Sequence, residues 1–264
     1  MKYDSEKLKN WERTIEYALP SMFSIASAAQ GRGLIFGAAV LQIYYDLGWI
    51  NRARSTGDLD LSIGLMSSTD EYNKIRKNFL DAGYLSLDPD RYFRLVSPNH
   101  NKLTPSFIDF VAHPQGQVDA KSIRGAMGVG NNWSFDEFSF ACESSYEVSK
   151  NVFFPNPLGF LALKRASFED DPRRVRDLVD IVDVVFDLVE KGFHYDLAVI
   201  WKNLKSKHPQ SANSLRKMIS GLATEAVAWD FQIAKQEFLT RNYDLNKLEE
   251  DAPKVFQEFL ENLD

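Results

Sequence analysis

Near the start of the chain, apolar residues recur at three- and four-residue intervals, with Trp11, Ile15, Leu19 and Met22 falling on one side. That period predicts amphipathic helix over 5–29, interrupted near Pro20, which lacks an amide hydrogen. Residues 33–37, Gly-Leu-Ile-Phe-Gly, form a short apolar run ending in glycine, hence a buried strand, and 38–47 returns to helical composition. From Asp58 to Leu65 the period drops to two. Leu59, Leu61, Ile63 and Leu65 alternate with charged or small residues, which predicts a strand with one face in the core and Asp58 and Asp60 on the other. A helix over 69–82, capped by Ser68 or Thr69, leads to strands over 84–87, 91–97 and 106–113. The stretch 116–133, rich in glycine and asparagine, has no period and reads as loop, and strand-like residues return over 145–153. Beyond Pro155 and Pro157 the pattern is helical nearly to the end, in segments at 158–168, 172–191, 195–206, 211–226, 228–240 and 245–262. The expectation is an α/β (α+β) fold. A mixed β-sheet flanked by helices, with the N-terminal helix, occupies 1–155, and a helical C-terminal domain occupies 156–264.

Composition narrows the class of molecule. A chain of 264 residues, 44% hydrophobic, has enough apolar material for one large core or two smaller ones. Its formal charge of −6 provides no global field for a nucleic-acid backbone, so any such contact needs a local basic patch. The most basic cluster is Arg173-Arg-Val-Arg176 together with Lys164 and Arg165. It suits either a polyanion such as tRNA or a solvated helix face. A single cysteine, Cys142, excludes an intramolecular disulfide and a cysteine-based zinc cluster, which leaves a cytoplasmic location as the default. The uncharged stretch 17–31 is broken by Pro20 and preceded by mixed charges, so it reads as part of the fold rather than a signal peptide. Neither it nor 33–45 is long enough to span a bilayer, and no membrane partner is expected.

The carboxylates change the picture. Residues i and i+2 of a strand point the same way at roughly 6 to 7 Å, so Asp58 and Asp60 share a face. Two ionised carboxylates that close repel unless a cation lies between them, and hard oxygen ligands suit Mg²⁺ or Mn²⁺. Asp109, set in the strand-forming run Phe107-Ile-Asp-Phe-Val111, would join them from a neighbouring strand. Three carboxylates around two metals would activate an attacking hydroxyl and neutralise a triphosphate with its leaving pyrophosphate. Asp-x-Asp also marks ordinary solvated strands. Here, though, Gly37 stands upstream between a strand and a helix, where a missing side chain lets backbone N–H groups approach a phosphate. Between the two lies Arg52-Ala-Arg-Ser-Thr56, which brings cations and hydroxyls towards the acids.

Taken in order, Gly37-Ala-Ala-Val40, a helix, and Arg54-Ser-Thr56-Gly-Asp58-Leu-Asp60-Leu61 resemble the signature of the polymerase-β-like nucleotidyltransferase superfamily. The closest likeness is to its AbiEii-type branch, which includes toxins of type IV toxin–antitoxin systems. A second block, Pro157-Leu-Gly-Phe-Leu-Ala-Leu-Lys164 followed by Arg174-Val-Arg-Asp177-Leu-Val-Asp180, is similar to the same branch. The resemblance covers about residues 33 to 183. It implies a nucleotidyltransferase-like sheet, metal ligation by Asp58, Asp60 and Asp109, and an NTP substrate contacted by Gly37, Ala38, Arg54, Thr56, Lys164, Arg174 and Asp177, with Asp180 in support. It further implies transfer of NMP to a hydroxyl on RNA, protein or a small molecule, and an antitoxin partner for toxin members.

Each of these residues has a plainer alternative. Lys164 would snorkel from an apolar helix, and Arg174 with Asp177 would be an ordinary i,i+3 helix pair. Where many active relatives carry serine or a second glycine, this chain has Ala38, so a hydroxyl contact to phosphate is missing while backbone donors remain. Ala38 therefore keeps a second function in view, a catalytically silent nucleotide-binding or protein-interaction module. A third reading is a metal-dependent phosphohydrolase using the same acids. His113 shares a face with Asp109 and fits a structural hydrogen bond better than a catalytic role. His100, His194 and His208 have no ligand spacing, and Tyr92 and Phe93 read as half-buried strand residues.

Overall fold

The computed structural model describes residues 3–28, 33–54, 56–66, 69–86, 94–99, 106–114, 135–224 and 229–263. The predicted loop at 116–133, the cap at Ser68, and His100, Tyr92 and Phe93 lie outside these residues. So does the side chain of His113.

The chain opens with helix α1 (Ser5–Ala18), whose N-cap Asp4 accepts from the amide of Glu6. Helix α2 (Met22–Ala28) follows after a break at Pro20 and Ser21, the latter in the left-handed region. The apolar run becomes strand β1 (Gly33–Phe36), which passes through Gly37 into helix α3 (Ala39–Leu47). Next come β2 (Asp58–Met66), α4 (Thr69–Asp81), and strands β3 (Leu85–Ser86), β4 (Arg94–Val96) and β5 (Phe107–Pro114).

Two features went unanticipated. Residues 135–143 form helix α5 (Phe135–Glu143), and the expected strand over 145–153 is a hairpin of β6 (Tyr146–Ser149) and β7 (Val152–Phe154). The hairpin turns at Asn151, whose φ of 60° its short polar side chain tolerates.

One mixed sheet results, in the order β3-β4-β5-β2-β1-β7-β6. β2 runs parallel to β5 and antiparallel to β1, and β4 is antiparallel to β5. Among the described residues six helices follow: α6 (Pro157–Asp170), α7 (Val175–Glu190), α8 (His194–Lys207), α9 (Pro209–Thr224), α10 (Trp229–Thr240) and α11 (Leu245–Glu261). The fold is thus the expected α+β arrangement, a mixed sheet with flanking helices and a helical C-terminal region.

Helix α6 is buried almost all round. Asn156 caps its N-terminus through the amides of Leu158 and Gly159, and Pro157 occupies the first position, where no donor is needed. Both faces of β1 are covered. Ile35 belongs to the main core with α3 and α7, while Leu34 and Phe36 pack with Phe138 and Ala141 of α5 and Leu163 of α6. The main core runs from Leu8 to Leu263 and crosses position 155 without a break. Among the described residues no helix is long and apolar enough to cross a membrane.

Candidate metal centre

Sheet register brings the acids together. On β2, Leu59 and Leu61 are buried on the core side, so Asp58 and Asp60 project from the opposite face, the one α5 and α6 cover. Asp60 stands directly beside Asp109 of the parallel neighbour β5, and Asp58 beside Phe107. Ligand oxygens of Asp58, Asp60 and Asp109 all lie within 4.8 Å of one another, which suits a shared cation. The donor set is three hard carboxylates, the chemistry that selects Mg²⁺ or Mn²⁺ over soft-ligand metals.

The three acids differ in their surroundings. The Thr56 hydroxyl donates to Asp58 Oδ1, bracing the first acid at the mouth of β2. Asp109 is forked by an arginine that the sequence pattern did not single out. Arg94 of β4 is its cross-strand partner, with Nε 2.5 Å from Oδ1 and Nη2 on Oδ2, and Nη2 also lies 3.4 Å from Asp58 Oδ2. Its guanidinium rests over the Phe107 ring at 5.4 Å. Among the described residues no donor reaches the half-buried carboxylate of Asp60. Burial, reinforced by the charges of Asp58 and Asp109, pushes its pKa up to about 7, against the pull of Lys164 and Arg174.

Gly37 closes the other side. It has φ +69°, and a Cβ there would fall 1.7 Å from Asp60 Oδ2. The glycine turn therefore touches the acid, and Ala38 at the N-cap of α3 supplies no side-chain hydrogen bond to that helix's first turn. On the far side of Asp58, between α1 and α3, a cavity of about 910 Å³ is lined by Trp11, Thr14, Gln42, Arg54, Thr56 and Asp58 among others.

The second motif forms a buried ionic cluster next to these acids. Lys164 Nζ lies 2.6 Å from Asp177 and 2.7 Å from Asp180, with only 5% of its side chain exposed. It neither snorkels nor projects freely into the cleft. Arg174, at the N-cap of α7, makes the i,i+3 contact with Asp177 Oδ2 at 2.8 Å, and Ser167 donates to that same oxygen, while Lys164 holds Oδ1. Arg54 reaches Asp180 at 3.2 Å instead of the strand acids. Asp180, fully buried, also receives Arg241 at 2.9 Å, and Arg241 continues to Asp183, which Tyr243 caps. Burial alone would raise the pKa of Asp177 and Asp180. Lys164 with Arg174 in the first case, and Lys164 with Arg54 and Arg241 in the second, outweigh it and hold both below the usual carboxylate range.

Arg241 and Tyr243 escaped sequence reading because nothing in their local pattern ties them to α7. The basic cluster also divides. Lys164 and Arg165 are buried in ion pairs, Arg165 with Glu137 and Glu169, whereas Arg173, Arg174 and Arg176 are exposed, Arg174 while paired with Asp177. Comparison with protein-family models, with curated proteins and with solved structures finds no match to this chain.

Proposed function

We propose that the chain is a metal-dependent nucleotidyltransferase that moves a nucleoside monophosphate from an NTP to a hydroxyl acceptor. The observation that carries this reading is the convergence of Asp58, Asp60 and Asp109 within 4.8 Å, against a glycine turn that opens a helix. In this reading Asp58 and Asp60 hold a divalent cation and Asp109 completes the carboxylate set. A divalent ion held there would supply polarisation of the α-phosphate and offset the charge of the leaving pyrophosphate. Gly37 and the first turn of α3 offer backbone N–H groups to the phosphates. The acceptor oxygen bonds to the α-phosphorus as its bond to the β-phosphate oxygen breaks. The acceptor proton passes to an ionised carboxylate of the set. An AbiEii-type toxin role is proposed on motif resemblance alone, and relief of growth arrest by coexpression of an adjacent gene is its test.

Incubation with α-labelled NTPs, Mg²⁺ and RNA or protein acceptors tests the chemistry. Metal-dependent label transfer, reduced at least about a hundredfold in Asp60→Asn, is the expected result. Release of phosphate or pyrophosphate without any acceptor would instead make the protein a phosphohydrolase. A second reading, a nucleotide-binding module without turnover, is favoured by one observation: the Lys164 ammonium is already engaged by two buried acids. Calorimetry showing Mg²⁺-dependent NTP binding by a protein that transfers no label would establish it.

A further inference from the structure

The acids of the centre carry a cation of their own. Arg94 spans both oxygens of Asp109 and touches Asp58, in a register fixed by the β4–β5 ladder. Such a fork is the strongest geometry available between a guanidinium and a carboxylate, and arginine does not give up its proton at any ordinary pH. The guanidinium also lies over the ring of Phe107, a favourable contact between cation and aromatic face. Asp60, by contrast, receives no donor from the described residues.

Resting on the metal-centre reading, we propose that this centre takes one divalent cation, held between Asp58 and Asp60, and that Arg94 occupies the place on Asp109 where a second ion would bind. The charges agree. With a bound cation drawing Asp60 into its ionised form, three carboxylates and one guanidinium leave two negative charges, the complement of a single divalent ion. A second divalent ion at Asp109 would sit against a fixed positive group and compete for oxygens already engaged. Arg94 is thus a positioning residue, which fixes Asp109 and supplies in covalent form the positive charge a second metal would bring.

Mn²⁺ titration of the full chain, followed by the electron paramagnetic resonance of free Mn²⁺, tests this without any turnover. The wild-type protein is expected to bind one Mn²⁺, Asp60→Asn none at comparable affinity, Arg94→Lys one, and Arg94→Gln two. Two Mn²⁺ on the wild-type protein, both lost in Asp60→Asn, would overturn the role of Arg94 while leaving the metal centre intact. A stoichiometry of one in a folded Arg94→Gln would overturn it as well. If Arg94→Gln does not fold, the wild-type and Arg94→Lys counts still decide. No Mn²⁺ bound by the wild-type protein would sink the metal reading itself.

Discussion

Asp60 has a neighbour without a side chain, and the absence is structural. A methyl at Gly37 would overlap the carboxylate, and the residue's positive φ disfavours any L side chain by roughly 1 to 2 kcal/mol. Gly37→Ala is therefore expected to lower stability by about 2 kcal/mol or more and to abolish Mn²⁺ binding, as urea unfolding and metal titration would report. Unchanged Mn²⁺ affinity in that variant would mean the turn does not shape the site. At this scale the strand acids were legible, because Leu59 and Leu61 alternate with Asp58 and Asp60 and burial can take only one face. Arg94 was not, since its meaning lies in a cross-strand pairing that no local spacing encodes. The nearest signal was charge: three acids on one sheet face call for a cation close by.

Helix α7 illustrates what an element adds to its residues. Its acids at 177, 180 and 183 lie on a buried side and meet cations from the segment before β2, from α6 and from the chain after α10. Asp177 has a folded-state pKa below its unfolded value. Its contribution is therefore complete above the ordinary carboxylate value near ~4 and fades as pH falls through the lower folded value. Asp177→Asn should accordingly show its full stability deficit at neutral pH and a smaller one below about pH 4, in denaturant unfolding at both. A deficit independent of pH would remove the ion pair as its cause. The helices themselves were readable from periodicity, and the break at Pro20 appears where the missing amide hydrogen demands one. The β6–β7 hairpin was hidden because Ser-Lys-Asn lacks the usual glycine, and α5 because it follows a stretch without any period.

Across the whole molecule, sheet and C-terminal helices share one continuous apolar core and the Asp180 ion cluster. Two separately folding domains divided near 155 are the simplest expectation from the change in pattern there. A shared core predicts a single cooperative unfolding transition instead, with tryptophan fluorescence and far-ultraviolet circular dichroism coinciding. Separate midpoints for the two probes would favour independent domains. Sequence pattern carries the type of each element well. It carries poorly the contacts between distant ones, because those depend on which faces meet.

Arg241 stands far along the chain from the strand acids, yet it is one of three cations that keep Asp180 ionised beside Lys164 and Arg54. A shortened protein ending before that arginine would retain every carboxylate of the centre and lose part of its foundation. Loss of activity on such trimming would then be a poor guide to where the chemistry happens, since the tail would be acting as ballast for a lysine and an arginine it never precedes in sequence.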